Sequence, residues 1–136
     1  MDDSDYDDVR ERLVIEGLMD AISVGEIHSA FLFDNHEPKR SVSEAQQLTL
    51  RMIRDLVGEG LFVLGVPTRH GSFNAWDVPL DEAMAQIEAA YIDNFDDRWG
   101  WVCAAWLDQT DKGKELALQL YYADEPDDTD TQANPG

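Results

Sequence analysis

The segment DNFDDRWGW, residues 93–101, sets three carboxylates, Asp93, Asp96 and Asp97, beside Trp99 and Trp101. General acid and base roles cannot be assigned to them, because carboxylates adjacent in sequence need not face one another. Binding is the chemistry this pattern can do. Acidic groups beside an exposed indole can fill a cationic cleft, neutralise it and anchor there. Asp93, Asp96, Asp97 and Trp99 are therefore the candidate partner-binding residues, and Trp101 and Trp106 read as core. A second set has the opposite charge. Between residues 39 and 69, Lys39, Arg40, Arg51, Arg54 and Arg69 outnumber Glu44, Asp55 and Glu59. Helical spacing puts Gln47, Arg51 and Arg54 on one outward face, and with Arg69 they are the residues a DNA reader would use. The same spacing lets Arg51 pair with Asp55 at i,i+4, the common structural use of such charges.

Other chemistries lack their parts. His28, His36 and His70 are scattered, with no His-x-x-x-His pair, no glycine-rich phosphate loop and no calcium-type loop. Asp34, His36 and Glu37 could touch a metal, but they share one connector and have no second ligand cluster. The lone Cys103 rules out an intramolecular disulfide or a cysteine-based zinc site, and between Trp101 and Trp106 it reads as a small buried hydrophobe. The expectation is a protein with no catalytic residues, no cofactor and no metal.

Charge narrows the partners. With 29 acidic and 10 basic residues the formal net charge is −19, and such a surface repels nucleic acid unless its cations are concentrated somewhere. A partner with a basic surface is favoured instead, although solubility explains the composition equally well. No run of about 18 apolar residues is present, which speaks against a membrane span. The start MDDSDYDD has neither the basic region nor the apolar stretch of a signal peptide, so a cytoplasmic location is expected.

These residues need elements to position them. Residues 1–8 and 123–136 hold ten of the acids and read as unpacked acidic ends around a single domain over 9–122. Val9, Leu13, Gly17, Leu18, Ala21 and Ile22 predict a first helix. Ser23 with Glu26 and Ser41 with Glu44 have capping-box spacing, which predicts a second helix through Phe31 and a third running to about Gly58. The connector between them is 34–40. In the third helix Leu48, Met52, Ile53, Leu56 and Val57 line one face. A β-type run, Leu61–Val66, follows Gly60, with a turn over 67–71 and a return strand over 72–78. Pro79 opens a fourth helix whose apolar face is Leu80, Ala83, Met84, Ile87, Ala90 and Tyr91. The last segment is ambiguous between strand and helix; a helix is expected over most of it, beginning near Trp101 or restarting at Thr110.

The stretch LTLRMIRDLVGEGLFVLG resembles the recognition helix and first wing strand of small bacterial winged-helix proteins such as the multidrug-resistance and phenolic-acid type repressors. WLDQTDKGKELAL is similar to their Leu-Thr-x-x-Gly element, in which a threonine caps the helix after the wing. The resemblance implies a mainly α, winged-helix-like α+β domain with a small β-hairpin. Two departures count against DNA binding: the 34–40 connector exceeds the usual three- or four-residue turn, and a whole helix separates wing from threonine. Since the fold names no job, function rests on charge. The expected role is an acidic protein-binding module that neutralises or regulates a basic partner, such as a toxin or an enzyme acting on nucleic acid or nucleotides, in the manner of immunity proteins and antitoxins. The alternatives are a winged-helix transcription regulator, dimeric through helices at the chain ends, and an oligomerising scaffold.

Overall fold

The computed structural model describes residues 3–123. Its first helix, α1 (Asp3–Glu16), begins well before Val9, so residues 3–8 belong to the folded unit and are not an unpacked end. The physical reason is Tyr6. Its buried ring stacks on Phe31 at 5.8 Å and its hydroxyl donates to Asp55 Oδ2 at 2.5 Å, extending the apolar face of Val9 and Leu13 backwards. Residues 1–2 and 124–136, the rest of the two ends read as unpacked, lie outside the described residues. The helix also stops earlier than its pattern implied. A turn begins at Gly17, and Ile22 enters a two-residue strand, β1 (Ile22–Ser23).

Ser23 then caps α2 (Val24–Leu32), and Ser41 caps α3 (Val42–Gly58), both through complete capping boxes. The connector between them is a tight hairpin, β2 (Phe33–Asp34) and β3 (Glu37–Pro38), turning on Asn35 and His36 at φ 53° and 72°. Asp5 of α1 receives Lys39 at 3.1 Å and Arg40 at 2.5 Å, while Arg40 also donates to the Phe31 carbonyl. Burial pushes the Asp5 carboxyl up, and the hydrogen bonds from Arg40 and Lys39 outweigh it, holding Asp5 below its ordinary value.

After the left-handed Gly60 come β4 (Phe62–Pro67), β5 (Phe73–Ala75), α4 (Leu80–Tyr91), α5 (Arg98–Val102), β6 (Trp106–Gln109) and α6 (Asp111–Ala123). The main sheet is antiparallel with order β1-β6-β4-β5. This corrects the reading of the last segment as helix from Trp101. A central strand lies within it, with Leu107 fully buried opposite Ile22 on one side and Leu64 on the other. Four residues are too short for their alternation to outweigh the helical spacing around them. The expected return strand over 72–78 shrinks to the edge strand β5. The restart at Thr110 holds: its Oγ1 accepts from the Gly113 amide at 3.0 Å, capping α6, and donates to the Gly60 carbonyl at 2.7 Å.

Leu13, Ile27, Phe31, Met52, Ile53, Leu56, Met84, Ile87 and Leu107 fill the core between helices α1 to α4 and the sheet. The protein is thus a mainly helical α+β fold with a small antiparallel sheet. Among the described residues no helix is long and apolar enough to cross a membrane.

Candidate functional site

The segment between β5 and β6 carries the acidic-aromatic motif, and its inner side is aromatic. Phe95 and Trp101 stack at 4.9 Å, Tyr91 lies 4.9 Å from Trp101, and all three rings surround His28 of α2 at 5.1 to 5.7 Å. Trp101 Nε1 donates to the Phe95 carbonyl at 2.8 Å. The backbone joining α4 to α5 is equally tied: Asp93 N to Glu88 O at 3.1 Å, Asp97 N to Asn94 O at 2.9 Å, and Asn94 Nδ2 to Ala89 O at 2.7 Å.

That root decides what faces out. Trp101 points inward, and Trp99, two residues earlier and so about 200° away around a helix, is 80% exposed. Asp93, Asp96 and Asp97 are exposed too. The structure therefore brings the four predicted partner-binding residues onto one short, internally bonded segment. Asp97 has a second job, because its Oδ1 accepts from the Gly100 amide at 3.3 Å and caps α5. Asp97→Ala is expected to cost about 1 kcal/mol, seen as a lower thermal midpoint, with Asp97→Asn close to wild type.

Gln47, Arg51 and Arg54 do share the outer face of α3, as their spacing predicts, and Arg69 lies apart on the exposed Thr68–Ser72 turn. Both α3 arginines are engaged. Arg51 sits 3.8 Å from Asp55, and its guanidinium lies 4.1 Å from the Tyr6 ring centroid. Arg54 reaches across to Asp81 of α4 at 2.8 Å. Of the 10 Lys and Arg residues, Arg10, Arg12, Lys39, Arg40, Arg51 and Arg54 form ion pairs among the described residues. The cations around α3 are thus largely neutralised in place.

No family model, curated protein or solved structure matches this chain. Its site must therefore be read from the geometry alone, and two features escaped the sequence reading. One is a cleft of about 680 Å³ between α1, α2 and α5, whose lining includes Arg12, Leu13, His28, Arg98, Trp101 and Val102. The other is His28 itself, 6% exposed, with Nδ1 only 2.5 Å from the Tyr91 hydroxyl. Its position was legible in the spacing Val24, Ile27, His28, Phe31, one buried face of α2. Burial and then the Arg98 charge hold the imidazole below its ordinary 6.5, and burial raises the Tyr91 hydroxyl against a smaller opposing effect of its hydrogen bond to Thr49.

Cys103 departs from expectation. It ends α5 and is exposed, because so short a helix turns only Trp101 and part of Val102 inward. Asp34, His36 and Glu37 all lie exposed on the small hairpin, and among the described residues no three His, Cys, Asp or Glu side chains converge to hold a metal. At the C-terminal helix, where the regulator alternative placed a dimer interface, α6 exposes Leu118, Tyr121 and Tyr122.

Proposed function

We propose that this protein is a cytoplasmic binding module on a winged-helix-like scaffold that neutralises or regulates a partner with a basic surface, as immunity proteins and antitoxins do. The observation that carries the reading is Trp99. A tryptophan left 80% exposed costs solvation, yet here it shares with the exposed Asp93, Asp96 and Asp97 a segment whose root is buried and hydrogen-bonded. An exposed indole on the same short segment as three exposed carboxylates suits a cationic cleft, which proteins acting on nucleic acids or nucleotides possess.

The order of elements supports the scaffold. The Thr110-capped helix directly follows β6, so β6 fits the wing's return strand better than β5 does, and residues 68–105 become an insertion within the wing. On this reading the helix that separated wing from threonine in the sequence is part of the insertion. The insertion also brings Asp81 onto Arg54, which weakens α3 as a DNA-reading surface.

The test is an affinity pull-down of the tagged protein from its native lysate, with and without nuclease, read by mass spectrometry. A stoichiometric protein of high isoelectric point that survives nuclease is expected. Arg51→Ala/Arg54→Ala is expected to leave that capture within about twofold. DNA enrichment that this double variant removes would overturn the reading in favour of the regulator.

A further inference from the structure

Eight large hydrophobic side chains are exposed among the described residues, and three of them, Leu118 at 40%, Tyr121 at 47% and Tyr122 at 63%, lie within five positions of α6. Helical spacing explains why they stay outside. Gly113, Leu116, Ala117 and Leu120 take the opposite side, the first and third buried and the two leucines packed against the core. With 3.6 residues per turn, Lys114, Glu115, Leu118, Tyr121 and Tyr122 share one face about 120° wide, with Leu118 at its middle. All five are exposed, and the two tyrosine rings meet edge-on at 5.3 Å.

This face is symmetric about Leu118 in position and complementary in chemistry. Where a second α6 lies antiparallel across a two-fold axis at Leu118, residues equally far before and after it stand at the same level. Leu118 then meets Leu118 of the second copy, Lys114 meets Tyr122, and Glu115 meets Tyr121. A cation against an aromatic ring and a carboxylate accepting from a phenol are both favourable, and the two-fold makes each of them twice. Charge points to the same occupant. A formal net charge of −19 makes two copies repel over most of their surface, but on α6 Lys112 and Lys114 balance Asp111 and Glu115. A basic partner gains little from a neutral face, whereas a second copy meets it without setting acid against acid. Lys114 forms no ion pair among the described residues, so its ammonium is available to the Tyr122 ring.

We infer that α6 is a self-association surface, through which two copies of this chain pair antiparallel about Leu118 into a two-fold dimer. One helix face is a small interface, so the dimer is expected to be weak, with a dissociation constant on the order of 10–100 µM. α6 packs on α1 and β6 and α5 packs on α2 and α4, so the dimer surface is built from other elements than the Trp99 segment.

The experiment is sedimentation velocity on the full chain from about 5 to about 300 µM, where a monomer–dimer equilibrium is expected. Lys114→Glu should weaken dimerisation about tenfold, and Leu118→Lys, which sets like charges across the axis, should leave a monomer throughout. Thermal midpoints of both should stay near wild type, because the two side chains are exposed. Register is read by cross-linking with a short bismaleimide in a Cys103→Ser background, since the exposed Cys103 would itself react. Leu118→Cys should cross-link to its own copy, whereas Lys114→Cys and Tyr122→Cys should cross-link well only when mixed. A wild-type chain still monomeric at about 300 µM, a dimer that both charge variants leave intact, or Lys114→Cys linking to itself as readily as to Tyr122→Cys would each overturn the dimer. No basic partner is present in these measurements, so their failure leaves the binding role standing, and failure of the pull-down leaves the dimer standing.

Discussion

Trp99→Ala combined with Asp93→Lys and Asp96→Lys should lower affinity for the captured partner about a hundredfold or more, while the thermal midpoint stays close to wild type. Truncating an aromatic anchor at the centre of an interface costs roughly 2 kcal/mol or more, about thirtyfold, and reversing charges that face a cationic surface adds like-charge repulsion. Stability should not follow, because all three side chains are exposed and none accepts or donates a hydrogen bond that holds the segment. Asp97 is left in place because it caps α5. Titration calorimetry against the purified partner, beside thermal denaturation, separates the two effects. Undiminished binding would remove this segment from the interface.

Gly113→Ala should cost about 3 kcal/mol, with partner binding reduced only in proportion to the fraction unfolded. A Cβ there would lie 2.1 Å from the Leu61 carbonyl oxygen and 2.9 Å from Gln109 Cγ. The first of these is backbone and cannot rotate away. The same junction carries Thr110 N to Leu61 O at 3.0 Å and Thr110 Oγ1 to Gly60 O at 2.7 Å, so moving α6 outward also breaks its cap. Gly58→Ala is the control. It lies at the end of α3 with only Leu80 Cδ2 near, at 3.9 Å, and should be neutral or slightly stabilising. Denaturant unfolding of the two variants distinguishes a steric effect at Gly113 from a general loss of glycine.

What the chain reveals before folding is what it encodes locally. Both capping boxes, the α3 face and the threonine cap of α6 are written within three or four residues and appear as read. Tyr6 was hidden because Asp5, Asp7 and Asp8 make its neighbourhood look solvated, although Asp5 itself is held by Lys39 and Arg40 from 34 and 35 residues away. β6 was hidden because its partners, Ile22 and Leu64, are remote, and a strand of four residues has no periodicity of its own to set against them. The binding segment divides the same way. Its acids and Trp99 are visible as composition, but the inward turn of Trp101 that puts Trp99 outside depends on His28, which lies 63 residues before Tyr91.

The place of β6 also sets when this molecule can first exist. β1 is made near the start of the chain and β4 in its middle, yet they are joined only by a strand that ends at Gln109. Until that strand leaves the ribosome, both hold unpaired edges and the pocket for Leu107 stays empty. Synthesis therefore passes through most of the sequence before the sheet can close, and a chain interrupted before residue 106 carries all of its DNFDD acids but no completed fold on which to present them.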